Sequence, residues 1–272
     1  MYTKLLRIGL LTVTATALLV GCTAQPQKPN PEPPPAAQAE PDPTPATPTP
    51  STAEPSNPKP SSPPAAQPEG QGETERQVRI TDEPESMTVL VNKTVALPEE
   101  YVPSDLVEPN VRFIFEEKHE KRLMRAEAAR ALESLFAAAE KDGIYLAGVS
   151  GYRSFETQNA LFTYYVNTDG EELARRYSAE PGQSEHQTGL AMDVSGSTGA
   201  CAADDCFAGT PEAEWLAAHA HEHGFIIRYP EGKEGITGYM YEPWHVRYLG
   251  KELAADVYAK GVTYEEYLGL NP

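Results

Sequence analysis

Apolar positions alternate with small or acidic ones in the segment that follows Gly189. The alternating residues are, in order, Leu190, Ala191, Met192, Asp193, Val194 and Ser195. A period of two residues is typical of a β-strand with one apolar face. The pattern predicts that Asp193 points away from the core side, between small neighbours that leave room for a ligand. Gly189 can supply the backbone freedom for a turn before the strand.

A helical period predicts a long helix over residues 117–142. Its apolar positions recur near helical spacing, at Leu123, Ala128, Leu132, Leu135 and Ala139. Gly143 is a typical stop for such a helix. Helix-start signals at Asp169 and at Thr210 predict two further helices that end near Tyr177 and Gly224. Two more helices are expected over residues 154–167 and 251–260, and a short turn begins at 263.

Short apolar segments predict the strands. They lie at residues 87–91, 144–149, 225–229 and 238–241, in addition to the strand after Gly189. The segments 225–229 and 238–241 are expected to pair as an antiparallel hairpin through the loop between them. Together with the helices, these strands predict an α+β fold, with a single domain and a small central antiparallel sheet flanked by helices.

Residues 1–21 have the composition of an export signal. Lys4 and Arg7 precede an apolar run from Ile8 to Val20, which is too short for a comfortable membrane span. The run ends in Leu-Val-Gly-Cys, which resembles a bacterial lipobox and predicts cleavage before Cys22 with a lipid on its sulfur. An uncleaved N-terminal anchor is the alternative. Either process would leave an exported protein anchored to the outer face of the cell membrane.

Residues 22–78 are dominated by Pro, Ala, Thr, Ser, Gln and Glu. A segment with so few large apolar side chains cannot bury enough surface to offset the entropy of ordering it. Its many prolines favour extended polyproline II conformations. We therefore expect a disordered linker between the lipid anchor and one folded domain over residues 79–272.

The chain is acidic, with a formal net charge of −18 at pH 7. This charge argues against binding to the phosphate backbone of nucleic acids. No nucleic-acid partner is expected, so the chemistry has to come from a local arrangement of side chains.

Two histidines and one aspartate are candidate metal ligands. His186 and Asp193 lie within one short segment, and His245 follows much later in the chain. Such a set can hold a zinc ion while a water keeps the fourth position. Glu242 is the candidate general base that takes a proton from that water. Pro243 favours an extended chain at Glu242, so we expect the zinc site at the edge of the sheet and not on a helix.

The segment Ser-Glu-His-Gln-Thr-Gly-Leu-Ala-Met-Asp, followed later by Glu-Pro-Trp-His, resembles the VanY-type zinc D-alanyl-D-alanine carboxypeptidases. The likeness continues through Ser150–Ser154 and Gly224–Pro230, and it covers roughly residues 87–270. Relatives of this family include the VanX dipeptidases and the LdcB-type L,D-carboxypeptidases. The resemblance implies a zinc peptidase that acts on peptidoglycan stem peptides ending in D-alanine.

The resemblance also implies residues that contact the substrate. Relatives place an arginine, a glutamine and a serine at the positions of Arg153, Gln158 and Ser184. Arg153 would bind the terminal carboxylate of a peptide or the oxyanion formed during attack. Judged from spacing alone, Arg153 would instead form a surface ion pair and Gln158 would lie on a solvated helix face. Trp244 is expected to pack beside the site.

Cys201 and Cys206 remain as an even pair once the lipid-bearing cysteine is set aside. In an exported protein a disulfide is the natural interpretation of such a pair. The alternative, a second metal site, lacks enough nearby ligands.

A cluster of three histidines, His219, His221 and His223, lies on one predicted helix. Ala220, and not a glutamate, follows His219, so the segment does not match the metal-binding H-E-x-x-H helix. A solvated helix face is therefore favoured over a metal site in this segment.

Several functions share these motifs. The prediction is a zinc D,D-carboxypeptidase that removes the terminal D-alanine from stem peptides. An L,D-carboxypeptidase acting on tetrapeptide stems and a D,D-dipeptidase would carry the same motifs. A non-catalytic, zinc-stabilised wall-binding lipoprotein is a further alternative, but it would not need Glu242. We expect a monomer whose partners are peptidoglycan and, through the lipid, the membrane.

Overall fold

The computed structural model describes residues 78–270, so the export signal, Cys22 and nearly all of the linker lie outside the described residues. The strands are β1 (Arg79–Ile80), β2 (Val95–Ala96), β3 (Leu106–Val107), β4 (Met124–Arg125), β5 (Leu146–Ser150), β6 (Ala191–Gly196), β7 (Phe225–Tyr229) and β8 (Glu242–Tyr248). The helices are α1 (Ala126–Lys141), α2 (Phe155–Asp169), α3 (Glu171–Tyr177), α4 (Pro211–His219), α5 (Glu234–Thr237), α6 (Lys251–Lys260) and α7 (Tyr264–Tyr267). Within residues 78–270, none of the helices has the length and apolar content needed to span a membrane.

The central sheet has four strands in the order β5-β6-β8-β7, and every neighbouring pair is antiparallel. Two separate two-stranded sheets are formed by β1 with β2 and by β3 with β4. The predicted α+β class, with a small antiparallel sheet flanked by helices, is therefore confirmed. Because β8 lies between β6 and β7, it brings the Glu-Pro-Trp-His segment next to the segment that carries His186 and Asp193.

The main hydrophobic core joins α1 to the central sheet. Leu132 and Leu135 of α1 are fully buried, in one apolar cluster with Met192, Val194 and Val246 of the sheet. Burying an aliphatic side chain of this size contributes about 1.5–3 kcal/mol. This contact holds β6 and β8 in place from the core side.

The other side of β6 is also covered. Its residues Ala191, Asp193 and Ser195, which alternate with the core residues, are all buried. Asp193 is only 6% exposed. The alternation therefore separates an apolar core from a buried polar side, and no side chain of this strand from Ala191 to Ser195 is exposed.

Two predicted strands are wrong. Residues 87–91 are buried in part but have no strand partner, and the carbonyl of Val89 instead accepts a hydrogen bond from Arg247 Nη2 at 2.7 Å. Residues 234–237 form α5, which ends at Gly238 with a φ of 81°, so the strand begins at Glu242 and not at 238. In both segments, apolar residues are buried by tertiary packing and not by a sheet.

Two predicted helix starts are also wrong. The long helix begins at Ala126 and not at 117, because Met124–Arg125 pairs with β3 as a strand. Asp169 is the last residue of α2 and does not cap α3, which starts after Gly170.

The α6 helix has the bounds that were predicted for it, and Thr263 and Glu266 form a capping box at the start of α7.

Candidate metal centre and catalytic pocket

Two neighbouring strands place Asp193 and His245 side by side. Asp193 lies on β6 and His245 on β8, and their Cα atoms are direct partners in the antiparallel ladder. Side chains directly opposite each other in such a ladder lie on the same face of the sheet. His245 Nδ1 accordingly lies 3.1 Å from Asp193 Oδ1, although the two residues are 52 positions apart.

His186 comes from a 3-10 turn over Glu185–Thr188, just before β6. Gly189 ends this turn with a φ of 66°, in the left-handed region that favours glycine. A Cβ at this position would also lie 2.9 Å from Leu106 Cδ2. The turn brings His186 Nε2 to 3.3 Å from Asp193 Oδ2. Gly189 thus allows the turn that was predicted before the strand.

Glu242 reaches the same pocket because the ladder between β7 and β8 is irregular. The register shifts between Ile227 and Tyr229, so β8 carries extra residues in this interval. Residues three apart in a regular strand point to opposite faces, and a bulge can re-aim one of them. Pro243 lies in this bulge, where a residue without an N–H is tolerated. As a result, Glu242 Oε2 lies 3.7 Å from His245 Nδ1.

His186, Asp193 and His245 are able to hold a metal ion, since one ligand atom from each lies within 4.8 Å of the others. All three side chains are buried. His186 Nδ1 donates to the Gly151 carbonyl at 2.7 Å, which leaves Nε2 to face the cluster. Two imidazole nitrogens and one carboxylate are a donor set that suits catalytic zinc. The residues present therefore fit a zinc ion.

The cluster keeps its carboxylate ionised. Burial would raise the pKa of Asp193, but His186 and His245 outweigh burial and hold this pKa far below its usual value. Burial would lower the pKa of His245, yet hydrogen bonds with Asp193 and Glu185 raise it to about 9. For His186 burial prevails and lowers the pKa, against the opposing charge of Asp193. An ionised aspartate is the form that a metal ligand requires.

Glu242 is shifted in the opposite direction. Burial raises its pKa to about 8, although the charges of His245 and Arg153 oppose the shift. The neighbouring carboxylates of Asp193 and Glu185 add to it. A carboxyl group with a pKa near neutrality can both accept and return a proton, as general acid–base catalysis requires.

Arg153 follows β5 and lines the pocket. Its Nη1 donates to Gln158 Oε1 at 2.8 Å and its Nη2 to Ser150 Oγ at 3.1 Å. Within residues 78–270, Arg153 Nε has no hydrogen-bond partner. Burial lowers the pKa of Arg153, and Asp193 opposes that shift. A guanidinium stays charged in proteins, so this side chain is a fixed cation in the pocket.

Gln158 lies behind Arg153 and not on a solvated face. Its side chain is 1% exposed, and its Nε2 donates to the Ala179 carbonyl at 2.6 Å while its Oε1 accepts from Arg153. The structure therefore places Gln158 as a support for Arg153 outside the lining of the cavity. Ser184 is buried and does line the cavity.

One cavity of about 420 Å³ collects these side chains. The predicted site residues in its lining are Arg153, Ser184, His186, Asp193, Glu242 and His245. Trp244 lines it too and is 8% exposed, in agreement with a packing role. Tyr229 and Tyr239 form part of the wall, with ring centroids 4.8 Å apart. A concave site with a few convergent polar groups suits a small ligand or a peptide end.

Cys201 and Cys206 form a disulfide, with Cα atoms 5.4 Å apart. The loop that it closes carries Asp204 and Asp205, which line the same cavity. The Asp204 carboxylate accepts from the Cys206 N–H at 2.9 Å and so caps the turn. The disulfide therefore shapes one side of the pocket.

The three histidines near the end of α4 face different partners. His219 Nδ1 lies 3.2 Å from Glu222 Oε1, and His223 Nδ1 lies 3.0 Å from a serine hydroxyl of α1. His221 stacks on a tyrosine of α6, with ring centroids 3.6 Å apart. Across the described residues, the only group arranged to hold a metal is His186, Asp193 and His245.

The role of Glu185, which directly precedes His186, was not predicted from the sequence. Its fully buried Oε1 accepts from Arg228 Nε and Arg247 Nη1, each at 2.7 Å. Burial would raise the pKa of Glu185, but the two arginines and His245 hold it well below its usual value. The arginines were the available signal, since arginine in an apolar strand is almost never fully buried unless paired.

Fold and site together define a class of protein. A small antiparallel sheet with flanking helices presents two histidines and an aspartate to one cavity, beside a buried glutamate and a fixed arginine. This is the arrangement of a zinc metallopeptidase.

Comparison with known sequences identifies the family. Residues 121–251 match the family model described as VanY, D-alanyl-D-alanine carboxypeptidase. The carboxypeptidase-family protein YodJ of Bacillus subtilis (strain 168) is 50% identical over 184 residues, which cover 68% of this chain and 67% of YodJ. The chain therefore belongs to the VanY family of D-alanyl-D-alanine carboxypeptidases.

Solved structures agree with this assignment. The LdcB LD-carboxypeptidase, whose structure is described as revealing the basis of peptidoglycan recognition, is 48% identical with a TM-score of 0.68, and the match covers 72% of this chain and 91% of LdcB. A glutamate-to-alanine mutant of the vancomycin resistance D,D-pentapeptidase VanY, in complex with Zn(II), is 33% identical with a TM-score of 0.54. That match covers 67% of this chain and 98% of the VanY chain. The enzyme class and the zinc cofactor are thus established, which sets aside a non-catalytic wall-binding module.

Proposed function

We propose that this enzyme removes the C-terminal D-alanine from peptidoglycan stem peptides. The observation that carries the proposal is the single cavity lined by Arg153, the three metal-ligand residues and Glu242. Metal-assisted hydrolysis beside a free carboxylate uses a metal, a base and a cation, and this pocket brings together residues for all three. The similarity to LdcB, whose structure shows peptidoglycan recognition, and to the D,D-pentapeptidase VanY supports this substrate class.

Arg153 binds the terminal carboxylate of the substrate and so selects a chain end. Its two Nη atoms are held by Gln158 and Ser150, while Nε has no partner among residues 78–270. Gln158 acts through Arg153 by fixing its orientation. Ser184, in the cavity lining, contributes a hydroxyl to substrate binding.

Glu242 is the general base and then the general acid. It accepts a proton from the attacking water, and it returns this proton to the leaving amine when the peptide bond breaks. His186, Asp193 and His245 would hold the zinc ion. When bound, zinc supplies the Lewis acidity that activates a water at neutral pH, and its charge lowers the pKa of Glu242 towards the ionised form.

The motifs do not separate the D,D bond of a pentapeptide stem from an L,D bond, but one observation favours the L,D bond. The LdcB LD-carboxypeptidase has 48% identity and a TM-score of 0.68, against 33% and 0.54 for the solved VanY mutant. L,D-carboxypeptidase activity on tetrapeptide stems is therefore the second candidate. Free D-alanyl-D-alanine, the substrate of a dipeptidase, is the third.

Incubation with defined peptides tests the proposal. Purified enzyme should release D-alanine from a pentapeptide or a tetrapeptide stem, and mass spectrometry of the products shows which bond is cleaved. A chelator should stop the release and added zinc should restore it. A stem peptide with a C-terminal amide should be a poor substrate, because Arg153 then has no carboxylate to bind. If no stem peptide loses D-alanine in the presence of zinc, the proposed function is wrong.

We also propose that the enzyme is exported and held at the outer face of the membrane by a lipid on Cys22. The support is the basic, apolar and small-residue pattern that ends at Cys22. A Cys22→Ser variant expressed in a bacterium that makes lipoproteins should move from the membrane fraction to the soluble exported fraction. Equal membrane retention of both forms would favour an uncleaved anchor instead.

A further inference from the structure

The two ring nitrogens of His245 face different surroundings. Nδ1 lies 3.1 Å from Asp193 Oδ1 and 3.7 Å from Glu242 Oε2, on the side of the catalytic groups. Nε2 lies 3.3 Å from Glu185 Oε2. A neutral histidine can coordinate a metal through one nitrogen while the other carries the proton. Nδ1 is therefore the nitrogen placed to bind zinc, and Nε2 is the one that has to carry the proton.

The second carboxylate oxygen of Glu185, Oε1, holds the side chain in place. It accepts from Arg228 Nε and Arg247 Nη1, each at 2.7 Å, and both arginines are fully buried. Arg247 is in turn fixed by a bond from its Nη2 to the Val89 carbonyl at 2.7 Å. Hydrogen bonds between charged groups in a dry interior are strong and keep their geometry. Oε2 is left as an acceptor that points at His245.

We propose that Glu185 is a positioning residue, whose fixed carboxylate accepts the Nε2–H of His245 and so leaves Nδ1 as the nitrogen aimed at the metal site. This goes beyond the proposed function, which uses His245 as a ligand and assigns nothing to Glu185. Carboxylates in this outer position orient metal-bound histidines, and losing one typically costs about 10–100-fold in metal affinity.

Glu185→Gln tests this role with little change in size. Arg228 and Arg247 can only donate, so they hold the carbonyl oxygen of the new amide where Oε1 was. The amide NH2 then faces His245 Nε2 and can only donate to it. The ring proton has to move to Nδ1, where it blocks the nitrogen that faces the metal site.

Glu265→Gln is the matched control. Glu265 is the other carboxylate in this buried cluster, and it accepts from Arg228 Nη1 at 2.8 Å and Nη2 at 2.5 Å. It makes no hydrogen bond to His245. Each substitution removes one buried negative charge beside Arg228, so thermal unfolding should show a loss of stability in both. Only Glu185→Gln should change the metal site.

Competition with a chelating dye measures the zinc affinity of each folded protein. We expect Glu185→Gln to weaken zinc binding by about 10–100-fold and Glu265→Gln to leave it unchanged. The ¹⁵N chemical shifts of His245 in the zinc-loaded wild type should place the proton on Nε2. Equal affinities for wild type and Glu185→Gln, equal losses in the two variants, or a proton on Nδ1 would each overturn the proposal.

Glu185→Asp provides a second test if the glutamine variant does not fold. The shorter side chain keeps a negative charge for the two arginines, but its carboxylate no longer reaches His245. Weaker zinc binding in this variant supports the proposal, and wild-type affinity contradicts it. A wild type that binds zinc through His245 Nδ1 but cleaves no stem peptide would refute the proposed function and leave the role of Glu185 standing.

Discussion

Glu242→Gln is expected to bind zinc as the wild type does and to lose about 10²–10⁴ in kcat, the usual contribution of a positioned acid–base group. Glutamine keeps the shape of the side chain but cannot accept a proton from water. Glu242 lies beside the three-residue ligand cluster and is not part of it. The related VanY structure, a glutamate-to-alanine mutant with Zn(II), is consistent with retention of the metal. Steady-state kinetics on a stem peptide and the zinc content after dialysis provide the two measurements.

Glu231→Gln is a matched control for this change. Glu231 lies in the loop before α5, close in sequence to the same strand, but it does not line the catalytic cavity. Its substitution should leave kcat, KM and zinc content unchanged. If Glu242→Gln keeps the wild-type kcat, another group takes the proton from water and the mechanism proposed above is wrong.

The site could be predicted because its chemistry lies in two short motifs. His186 and Asp193 come from one, and Glu242 and His245 come from the other. The types of these side chains limit what they can do together: nitrogen and oxygen donors suit zinc, and a free carboxylate suits a base. The sequence also predicted an antiparallel sheet, but the pairing of Asp193 with His245 across β6 and β8 was not part of that prediction.

The parts that could not be predicted depend on contacts between distant segments. Glu185 is 43 positions from Arg228 and 62 from Arg247, and nothing local indicates that the three meet in the interior. Gln158 illustrates the same limit, because a polar residue on a helix looks solvated until the neighbouring chain is known to cover it. The missing strand at residues 87–91 has a related cause, since apolar residues report burial but not which partner provides it.

The bulge in β8 explains why the extended backbone predicted at Glu242 was right although the strand around it was misplaced. Pro243 indicated an extended backbone at Glu242, and this local rule is independent of the strand boundaries. The boundaries themselves were set by pairing with β7, where the register shifts beyond Ile227. The backbone preference before a proline therefore predicted the conformation at Glu242 correctly, whereas the length of the apolar segment did not predict the strand boundaries.

Asp193→Ala is expected to abolish stoichiometric zinc binding and, with it, activity. The Asp193 carboxylate lies 3.1 Å from His245 Nδ1 and 3.3 Å from His186 Nε2, so it is the shared member of the cluster. Removing it leaves two imidazoles near the fixed cation of Arg153, which repels a dication. The loss of zinc affinity should exceed the roughly 10–100-fold loss that is typical when a residue that orients a metal ligand, such as Glu185, is replaced. Metal analysis after dialysis against a weak chelator measures it.

Asp205→Ala is the control for this substitution, because Asp205 is exposed and lines the same cavity without belonging to the metal cluster. It should keep zinc. The comparison with Glu242→Gln separates two roles that both end in an inactive enzyme: the glutamine variant should be inactive with zinc bound, whereas Asp193→Ala should be inactive because zinc is lost. If Asp193→Ala retains one tightly bound zinc per chain, the ion is held elsewhere, and the assignment of His186 and His245 as its ligands fails with it.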